Sequence, residues 1–252
     1  MSSCLISVVV PAHNEAATIT SLVEKLHEIL REAGAFEIII VDDGSSDATR
    51  QILDHLSRPV RVIRNQENRG KGHALRRGIA QARGEVIAYI DADESISPRF
   101  LLPMLERIRQ GCDIVIASRH FGEVSGSDTD SRFRAVASRL FIKFRSVILG
   151  DLGCRDTQCG LKVFTKEVKN DIVARCRIDG FGFDCEFLFL ASRRNCQIEE
   201  FPVKVTMTGK NKRYAYWLRQ GGIIIGELLR IRLNWWLKGY RDQTGQSDPE
   251  RG

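Results

Sequence analysis

The sequence predicts an α/β fold with a mostly parallel sheet flanked by helices, and three observations lead to this prediction. Short apolar runs alternate with segments whose apolar residues recur at helical spacing. Several of the runs are apolar throughout, as in strands that are buried on both faces of a sheet. Acidic residues directly follow two of these runs, and Glu15 lies five positions beyond a third, in the region where parallel α/β sheets bind their ligands. A chain of 252 residues suits one such domain, which we place at residues 1–212.

The elements of the first half follow from this alternation. The strand Leu5–Val10 is stopped by Pro11, and the helical segment Ala16–Ala33 stops at Gly34. Pro98 suits the first turn of a later helix. The other predicted strands are Glu37–Val41, Val60–Ile63, Val86–Ile90 and Asp113–Ala117, and the other predicted helices run from Ser46 to Leu56 and over Gly72–Arg83. Right-handed crossovers between such strands produce a parallel sheet.

After Ser118 the alternation weakens, and most of the predicted elements are helices. Gly122–Asp130 is polar and predicts a loop. Pro202 lies inside the strand Ile198–Val205 and indicates an edge position, because proline cannot donate to the ladder of a central strand. The predicted helices are Phe133–Leu149, which is basic and amphipathic, Val168–Cys176 and Phe183–Arg193.

Residues 213–240 predict an amphipathic C-terminal helix rich in basic residues and tryptophan, and residues 241–252 predict a disordered tail. From Lys204 to Arg241 the chain has nine Lys or Arg residues and one acid, Glu227, within a net charge of +6. Such a helix can lie in an anionic membrane surface, although its apolar positions also suit a core helix. No recognisable module or regular basic and aromatic stripe indicates nucleic-acid binding.

The composition and the start of the chain bear on location. Seven scattered cysteines form no CxxC pair, which indicates free thiols rather than a zinc or redox site. Met1 to Val10 lacks the basic start of a secretory signal, and no stretch approaches the roughly 18 apolar residues of a spanning helix. We therefore expect a cytoplasmic protein that is peripheral on the cytosolic face of a membrane. A second copy of the chain or a membrane protein is a further candidate partner.

Two polar clusters follow the first two strands. Pro11-Ala12-His13-Asn14-Glu15 comes after the first strand, and Asp42-Asp43-Gly44-Ser45-Ser46 comes after the second. Since both clusters lie at the same edge of a parallel sheet, their carboxylates can accept hydrogen bonds from a ribose or a base. Helix capping and turn formation are the simpler explanation of Asp42, Asp43 and Ser46 taken alone.

A third cluster, Asp91-Ala92-Asp93, follows the strand Val86–Ile90. Two carboxylates spaced two positions apart at a strand end can bind one hard cation, Mg²⁺ or Mn²⁺. Such an ion would bridge the phosphates of a nucleoside diphosphate and stabilise its departure. A turn without a ligand is the alternative for an isolated motif of this kind, and the shared sheet edge favours the metal site.

Strand–PAHNE, strand–VDDGSSD, NRGKGHAL and strand–DAD occur in that order, and together they resemble family-2 glycosyltransferases of the GT-A fold. The match spans roughly Ile6 to Arg119. The resemblance implies that Glu15 and Asp42 contact a nucleoside, that Lys71 lies near the donor, and that Asp91 and Asp93 hold the metal and diphosphate. The full set expected to bind the donor and its metal is Pro11, His13, Glu15, Asp42, Asp43, Lys71, Asp91, Ala92 and Asp93.

Motifs in the second half of the chain resemble one particular group of family-2 glycosyltransferases. Asp156–Phe164, Phe183–Glu186 and Gly209–Lys212 are similar to pieces of dolichyl-phosphate glucosyltransferases. Ser95 stands where the related mannose synthases commonly have glutamine. The resemblance implies inverting transfer of glucose from UDP-glucose to a polyprenyl or dolichyl phosphate, with GDP-mannose as the alternative donor. A hydroxyl acceptor, which requires a base such as Asp184, and a catalytically idle sugar-nucleotide-binding subunit remain open.

A lipid phosphate acceptor requires cations rather than a base, because a phosphate monoester is already an anion at neutral pH. Arg119, Arg134 and Lys162 are the candidates, and Arg presents a bidentate fork to phosphate oxygens. A solvated basic surface is the alternative for all three. Asp184 and Glu186 lie at the start of a predicted helix, where capping is their simpler role. The predicted catalytic residues are thus Asp91, Asp93, Arg119, Arg134 and Lys162.

Overall fold

The computed structural model describes residues 5–119, 140–204, 214–237 and 239–240, with the backbone alone described over 214–221. Seven strands form one sheet in the order β3-β2-β1-β4-β6-β5-β7. The strands are β1 (Ile6–Ala12), β2 (Phe36–Asp43), β3 (Arg61–Asn65), β4 (Val86–Ile90), β5 (Ile114–Ser118), β6 (Leu161–Thr165) and β7 (Ile198–Pro202). Only β6 is antiparallel to its neighbours, so the predicted mostly parallel sheet is confirmed.

The helices of the described residues flank this sheet. They are α1 (Ile19–Ala33), α2 (Thr49–Asp54), α3 (Lys71–Ala80), α4 (Leu101–Arg109), α5 (140–149), α6 (Lys166–Asp171), α7 (Phe183–Arg193) and α8 (Tyr214–Trp236). Pro98 opens a short 3₁₀ turn ahead of α4, and the predicted helix Val168–Cys176 is split into α6 and a second 3₁₀ turn, Val173–Arg175. The predicted loop Gly122–Asp130 and the first part of Phe133–Leu149 lie outside the described residues.

Each face of the sheet buries its own core. Neighbouring residues of β1 point to opposite faces, so Val9 packs with α3 and α7 while Val8 and Val10 pack with α1 and α4. This explains why the middle of β1 and the whole of β4 consist of apolar residues. The edge prediction for the last strand is also confirmed, because β7 pairs with β5 alone.

Strand β6, which inserts between β4 and β5, was not among the predicted strands. Its five residues contain a lysine, Lys162, at a position that is fully buried. Lysine is almost never buried unless it is paired, so its presence argues locally against a central strand. The partner that makes the strand stable comes from α7 and is described below.

Helix α8 packs against the rest of the fold along one face only. Leu228 and Ile231 are fully buried in the same core layer as α7, whereas Leu229 and Leu233 are exposed. Glu227 accepts a hydrogen bond from the Gly182 amide at 2.7 Å, which fixes the helix next to the start of α7. Among the helices that the structure describes, none is long and apolar enough to cross a membrane.

Candidate active site

The first two polar clusters meet at the carboxyl edge of the sheet. Strands β1 and β2 are in register, with Ala12 opposite Asp42. Just beyond them, His13 Nδ1 lies 2.9 Å from the Asp43 carbonyl oxygen, and the Asn14 amide donates to Ser45 Oγ at 3.0 Å. The two loops therefore form one surface, as the parallel arrangement predicts.

Asn14 joins these loops through an unusual backbone conformation. Its φ of 57° lies in the left-handed region, and its Oδ1 accepts from the amide of Ser46 at 2.8 Å and that of Asp47 at 3.2 Å. The Glu15 amide donates to Thr49 Oγ1 at 2.8 Å. Asparagine tolerates this conformation better than most residues, a signal that could have marked Asn14 from the sequence.

The carboxylates of Asp42 and Asp43 are buried and hold turns together. Asp42 Oδ1 accepts from the Ser45 amide at 2.9 Å. Asp43 Oδ1 accepts from Asn65 Nδ2 at 2.5 Å, and its Oδ2 accepts from the Gly70 amide at 2.8 Å. The turn-forming role considered for both residues is thus observed. Through Gly70, Asp43 also fixes the start of α3, where Lys71 lies.

Replacing Asp43 with alanine is expected to lower the free energy of unfolding by about 2–5 kcal/mol, because orphaned buried donors cost about 1–3 kcal/mol each. The donors are Asn65 and the amides of Arg69 and Gly70. Urea unfolding followed by circular dichroism measures the change. Asp54→Ala, which removes a half-exposed carboxylate paired with Arg64, is the control and should change stability by less than about 1 kcal/mol. Equal effects of the two substitutions would contradict the role given to Asp43.

Lys71 links the start of α3 to the third cluster. Its Nζ lies 2.8 Å from Asp91 Oδ1 and 3.1 Å from Asp91 Oδ2, and 3.3 Å from Asp184 Oδ2. The side chains of Lys71 and Asp91 are 11% and 30% exposed, and that of Asp184 is 1% exposed. Burial opposes the charge on Lys71, but the two carboxylates raise its pKa above the ordinary value. Lys71 is therefore a firmly protonated cation beside Asp91.

A second lysine completes a buried group of four charges. Lys162 Nζ donates to Asp184 Oδ1 at 2.5 Å and to the Cys159 carbonyl oxygen at 2.8 Å, and the Tyr89 hydroxyl donates to the same Asp184 oxygen. Burial would raise the pKa of Asp184, but the ammonium groups of Lys162 and Lys71 hold it below its usual value. Lys162 is 0% exposed, so its ammonium faces Asp184 rather than solvent.

The central position of Asp184 was not predicted from the sequence. The residue was expected to cap α7 or to act as a base for a hydroxyl acceptor, whereas the structure places it between two lysines. A signal was present, since Lys162 and Asp184 each interrupt an otherwise apolar segment. Two opposite charges in buried elements are expected to pair, because an isolated buried charge is costly.

Asp91 and Asp93 occupy the turn after β4. The Asp91 amide donates to the Gly160 carbonyl oxygen at 2.9 Å, and Asp93 Oδ1 accepts from the Ser95 amide at 3.0 Å. Ala92 between them is buried. Desolvation raises the pKa of Asp91 against the effect of Lys71, with further contributions from Asp184 and Asp93. An added Cβ at Gly160 would overlap the Asp91 carboxylate, so no free space remains between these two residues.

The oxygen donors of the two side chains are of the kind that binds a hard divalent cation. The ammonium of Lys71 already lies within 3.1 Å of both Asp91 oxygens, which shows that this position favours positive charge. The described residues contain no group of three or more His, Cys, Asp or Glu side chains that could hold a metal ion. Mg²⁺ is commonly bound by one or two carboxylates with phosphate and water completing its shell, and Asp91 with Asp93 supplies that number.

Arg119 follows β5 at the same edge and forms a bidentate ion pair with Asp156. Its Nε and Nη2 lie 2.7 Å from the two Asp156 oxygens, and its amide donates to Asp156 Oδ2 at 2.9 Å. Asp156 is buried, whereas the Arg119 side chain is 48% exposed. Asp156 thus fixes the orientation of the guanidinium, and about half of the Arg119 side chain remains exposed to solvent. Arg134, the third predicted cation, lies outside the described residues.

Comparison with known sequences agrees with the order of these motifs. The family description Glycosyl transferase family 2 matches residues 7–170, from β1 into α6. Human dolichyl-phosphate beta-glucosyltransferase is 31% identical over 264 residues, which cover 95% of this chain and 78% of the human protein. Glycosyltransferase AglD of Haloferax volcanii is 34% identical over 215 residues, which cover 82% of this chain and 34% of that protein. The resemblance drawn from the motifs is confirmed.

Solved structures share the fold. Glucosyl-3-phosphoglycerate synthase from Mycobacterium tuberculosis, in complex with Mn²⁺, UDP and phosphoglyceric acid, is similar with a TM-score of 0.70 at 23% identity. The similarity covers 91% of this chain and 78% of that chain. The same enzyme has been solved with Mg²⁺ and UDP. At this level of identity, the similarity identifies the arrangement of helices and strands and leaves the substrate to the residues of the site.

Proposed function

The chain belongs to glycosyl transferase family 2 and has the GT-A fold, and we propose that it transfers glucose from UDP-glucose to a polyprenyl or dolichyl phosphate. The observation that carries the proposal is that both kinds of group lie at one edge of the sheet, the carboxylates after β4 and the arginine after β5. Asp91 and Asp93 suit a metal-bound diphosphate, and Arg119 is held open toward a second anion by Asp156. The name of the human relative supports a lipid phosphate as that anion.

On the donor side, Asp91 and Asp93 would hold Mg²⁺ or Mn²⁺, which would neutralise the diphosphate leaving group. The Asn14 and Asp42 turns shape the surface on which the nucleoside would lie, with Glu15 as the carboxylate that reaches it. Lys71 keeps a positive charge close to Asp91, near the point where negative charge would develop as the bond between the sugar and the diphosphate breaks. Attack from the opposite side of the anomeric carbon would invert its configuration.

On the acceptor side, the geometry favours a phosphate over a hydroxyl. A hydroxyl acceptor requires a base, and Asp184 was the candidate. Asp184 is 1% exposed and paired with Lys162, and nearby cations hold its pKa below the ordinary value, so it is poorly suited to remove a proton. A phosphate needs only to be bound and oriented, for which the exposed guanidinium of Arg119 is suited. Arg134 remains a second candidate for the same role.

Arg119→Ala is expected to raise KM for polyprenyl phosphate by about 10- to 100-fold, since a hydrogen bond to a charged group contributes about 1.5–3 kcal/mol. KM for the donor should change little. Initial-rate kinetics with each substrate varied in turn measure both values. Arg107→Ala, which removes an arginine of similar exposure paired with Glu199, is the matched control and should leave both values unchanged. A rise in KM for the donor alone would contradict the role of Arg119 in binding the acceptor.

For the location, we propose that α5 and α8 attach the enzyme to the cytosolic face of a membrane. Both helices expose large apolar side chains while their other faces pack into the same core layer. The exposed residues are Leu140, Phe144 and Val147 of α5 and Ile223, Leu229, Leu233 and Trp236 of α8, with Leu237 just beyond it. Trp236 is 67% exposed. Arg230 and Arg232 on α8 supply positive charge toward anionic lipid.

The double substitution Leu233→Ser, Trp236→Ser is expected to weaken binding to vesicles that contain anionic phospholipid by about tenfold or more. Burying each of these side chains in the interface contributes about 1.5–3 kcal/mol. Co-flotation of the protein with vesicles measures the change. Gln51→Ser on the exposed surface of α2 is the control and should float like the unaltered protein. Unchanged flotation of the double variant would remove α8 from the membrane-binding surface.

The experiment that tests the proposed reaction is sugar transfer from radiolabelled UDP- and GDP-sugars to polyprenyl phosphate. The organic-extractable label is counted with Mg²⁺, with Mn²⁺ and with a chelator. We expect label from UDP-glucose in the lipid phase only when a divalent metal is present. Label from GDP-mannose instead would overturn the donor, and label confined to a soluble or glycolipid hydroxyl would overturn the acceptor.

A further inference from the structure

Lys71 lies between two carboxylates that belong to different parts of the chain. Asp91 follows β4 and is partly exposed at the sheet edge, whereas Asp184 starts α7 and is buried. The Lys71 ammonium is closer to Asp91, at 2.8 Å, than to Asp184 Oδ2, at 3.3 Å. Its position therefore offers two alternative partners, one at the surface of the site and one behind it.

The buried partner, Asp184, can accept more hydrogen bonds than it does. Asp184 Oδ1 accepts from both Lys162 and Tyr89, whereas the buried Asp184 Oδ2 has the 3.3 Å ion pair with Lys71 and no well-aligned hydrogen bond among the described residues. A buried carboxylate oxygen is expected to be fully hydrogen-bonded, so this loose contact calls for an explanation. A shift of the Lys71 ammonium by about 0.5 Å would shorten the contact to the length of a strong charge-assisted hydrogen bond, about 2.8 Å.

The ligand expected at Asp91 competes directly with Lys71. A divalent cation coordinated by Asp91 cannot share its oxygens with an ammonium at 2.8 and 3.1 Å. If Lys71 had no other partner, metal binding would leave a nearly buried ammonium without a counter-ion. An ion pair between Lys71 and Asp184 Oδ2 would avoid this cost, because the ammonium would keep a counter-ion.

We propose that Lys71 is a movable counter-ion, which neutralises Asp91 before metal binds and transfers to Asp184 when a divalent cation takes Asp91. Asp184 is then a positioning residue of the metal site that touches neither the metal nor the substrate. Lys162 keeps Asp184 charged and in place through its other oxygen. This inference rests on the metal site of the proposed function and adds the exchange of partners behind it.

The decisive variant is Lys162→Met, Asp184→Asn. It removes one positive and one negative charge together, so the net charge of the site is unchanged while Lys71 is left with Asp91 as its sole nearby carboxylate. Replacing a buried ion pair by uncharged groups is often tolerated, and asparagine can still accept from Tyr89. Binding of Mn²⁺ alone, without nucleotide or acceptor, is measured by the loss of the free-ion signal in electron paramagnetic resonance.

We expect the double variant to bind Mn²⁺ about 10- to 100-fold more weakly than the unaltered protein, the range found when partners of metal ligands are removed. Lys162→Met alone should act in the opposite direction. It frees Asp184 to attract Lys71 away from Asp91, so Mn²⁺ should bind more tightly. Tyr240→Phe, which removes a buried hydrogen bond to Glu186, is the control and should lower thermal stability without changing Mn²⁺ affinity.

The outcomes separate the exchange from the metal site itself. If the unaltered protein and the double variant bind Mn²⁺ equally, the exchange of partners is wrong and the metal site stands. If the unaltered protein does not bind Mn²⁺ at this site, the proposed metal site and the exchange are both overturned. If the double variant does not fold, Lys162→Met decides, because weaker or unchanged Mn²⁺ binding in that variant would contradict the exchange.

Discussion

Asp93→Asn is expected to abolish sugar transfer and to leave the fold intact. The substitution keeps the size of the side chain and an oxygen that can accept from the Ser95 amide, as Asp93 Oδ1 does at 3.0 Å. It removes one of the two negative charges available for a divalent cation. Since such an ion contributes several kcal/mol of charge stabilisation, transfer should fall by about 10²–10³-fold.

The matched control for Asp93→Asn is Glu85→Gln, at the opposite end of the same strand. Glu85 is mostly exposed and pairs with Lys166, away from the carboxyl edge of the sheet. Its substitution should leave transfer unchanged, and circular dichroism should show both variants folded. Full transfer by Asp93→Asn would support a scaffold or another chemistry in place of a metal-dependent glycosyltransferase.

Gly160→Ala is expected to reduce transfer by about 10²-fold, although it adds one methyl group and removes no charge. The added Cβ would overlap the Asp91 carboxylate and displace it. A displacement of about 1 Å at a catalytic group can cost 10²-fold in rate. Initial-rate transfer assays and Mn²⁺ titration measure the loss. We expect both the transfer rate and the Mn²⁺ affinity to fall, because in the proposed site the Asp91 carboxylate binds the metal and, through it, the donor.

Gly226→Ala provides the control for Gly160→Ala. It adds the same methyl group to an exposed position of α8 that has nothing within 4 Å of the new Cβ. Alanine is the better helix former, so stability should be unchanged or slightly higher. Normal transfer by Gly160→Ala would mean that the Asp91 carboxylate does not need its present position.

The first half of the fold was predictable because its signals are local. Strands β1, β2, β4 and β5 each contain a short apolar run, and Val86–Ile90 was predicted with the bounds that the structure gives. Gly34 and Pro98 mark a helix end and a helix start through backbone constraints of single residues. The clusters after β1, β2 and β4 could be predicted to lie close together, since parallel strands end at the same edge of a sheet.

The second half depends on contacts that a sequence pattern does not record. The strand β6 is stable with Lys162 inside it only because Asp184, 22 positions further along the chain, supplies the opposite charge. Asp43 shows the same limit, since its partners Asn65, at the end of β3, and Gly70, just before α3, lie 22 and 27 positions further along the chain. The residue types were recognised as important, but their roles depend on distances that only the folded chain defines.

Because β6 runs antiparallel to its neighbours, the residues at the ligand edge of the sheet come from two kinds of loop. In every parallel strand of this sheet, the loop that leaves the strand reaches the ligand edge. In β6 it is the loop leading into the strand, and Gly160 meets Asp91 there through a backbone hydrogen bond of 2.9 Å. The residues that we propose to bind the donor thus lie on loops that leave a strand, whereas Asp156, which pairs with Arg119, lies on a loop that leads into one. Relatives that use other acceptors are therefore expected to differ in residues 151–160 while keeping the loops after β1, β2 and β4.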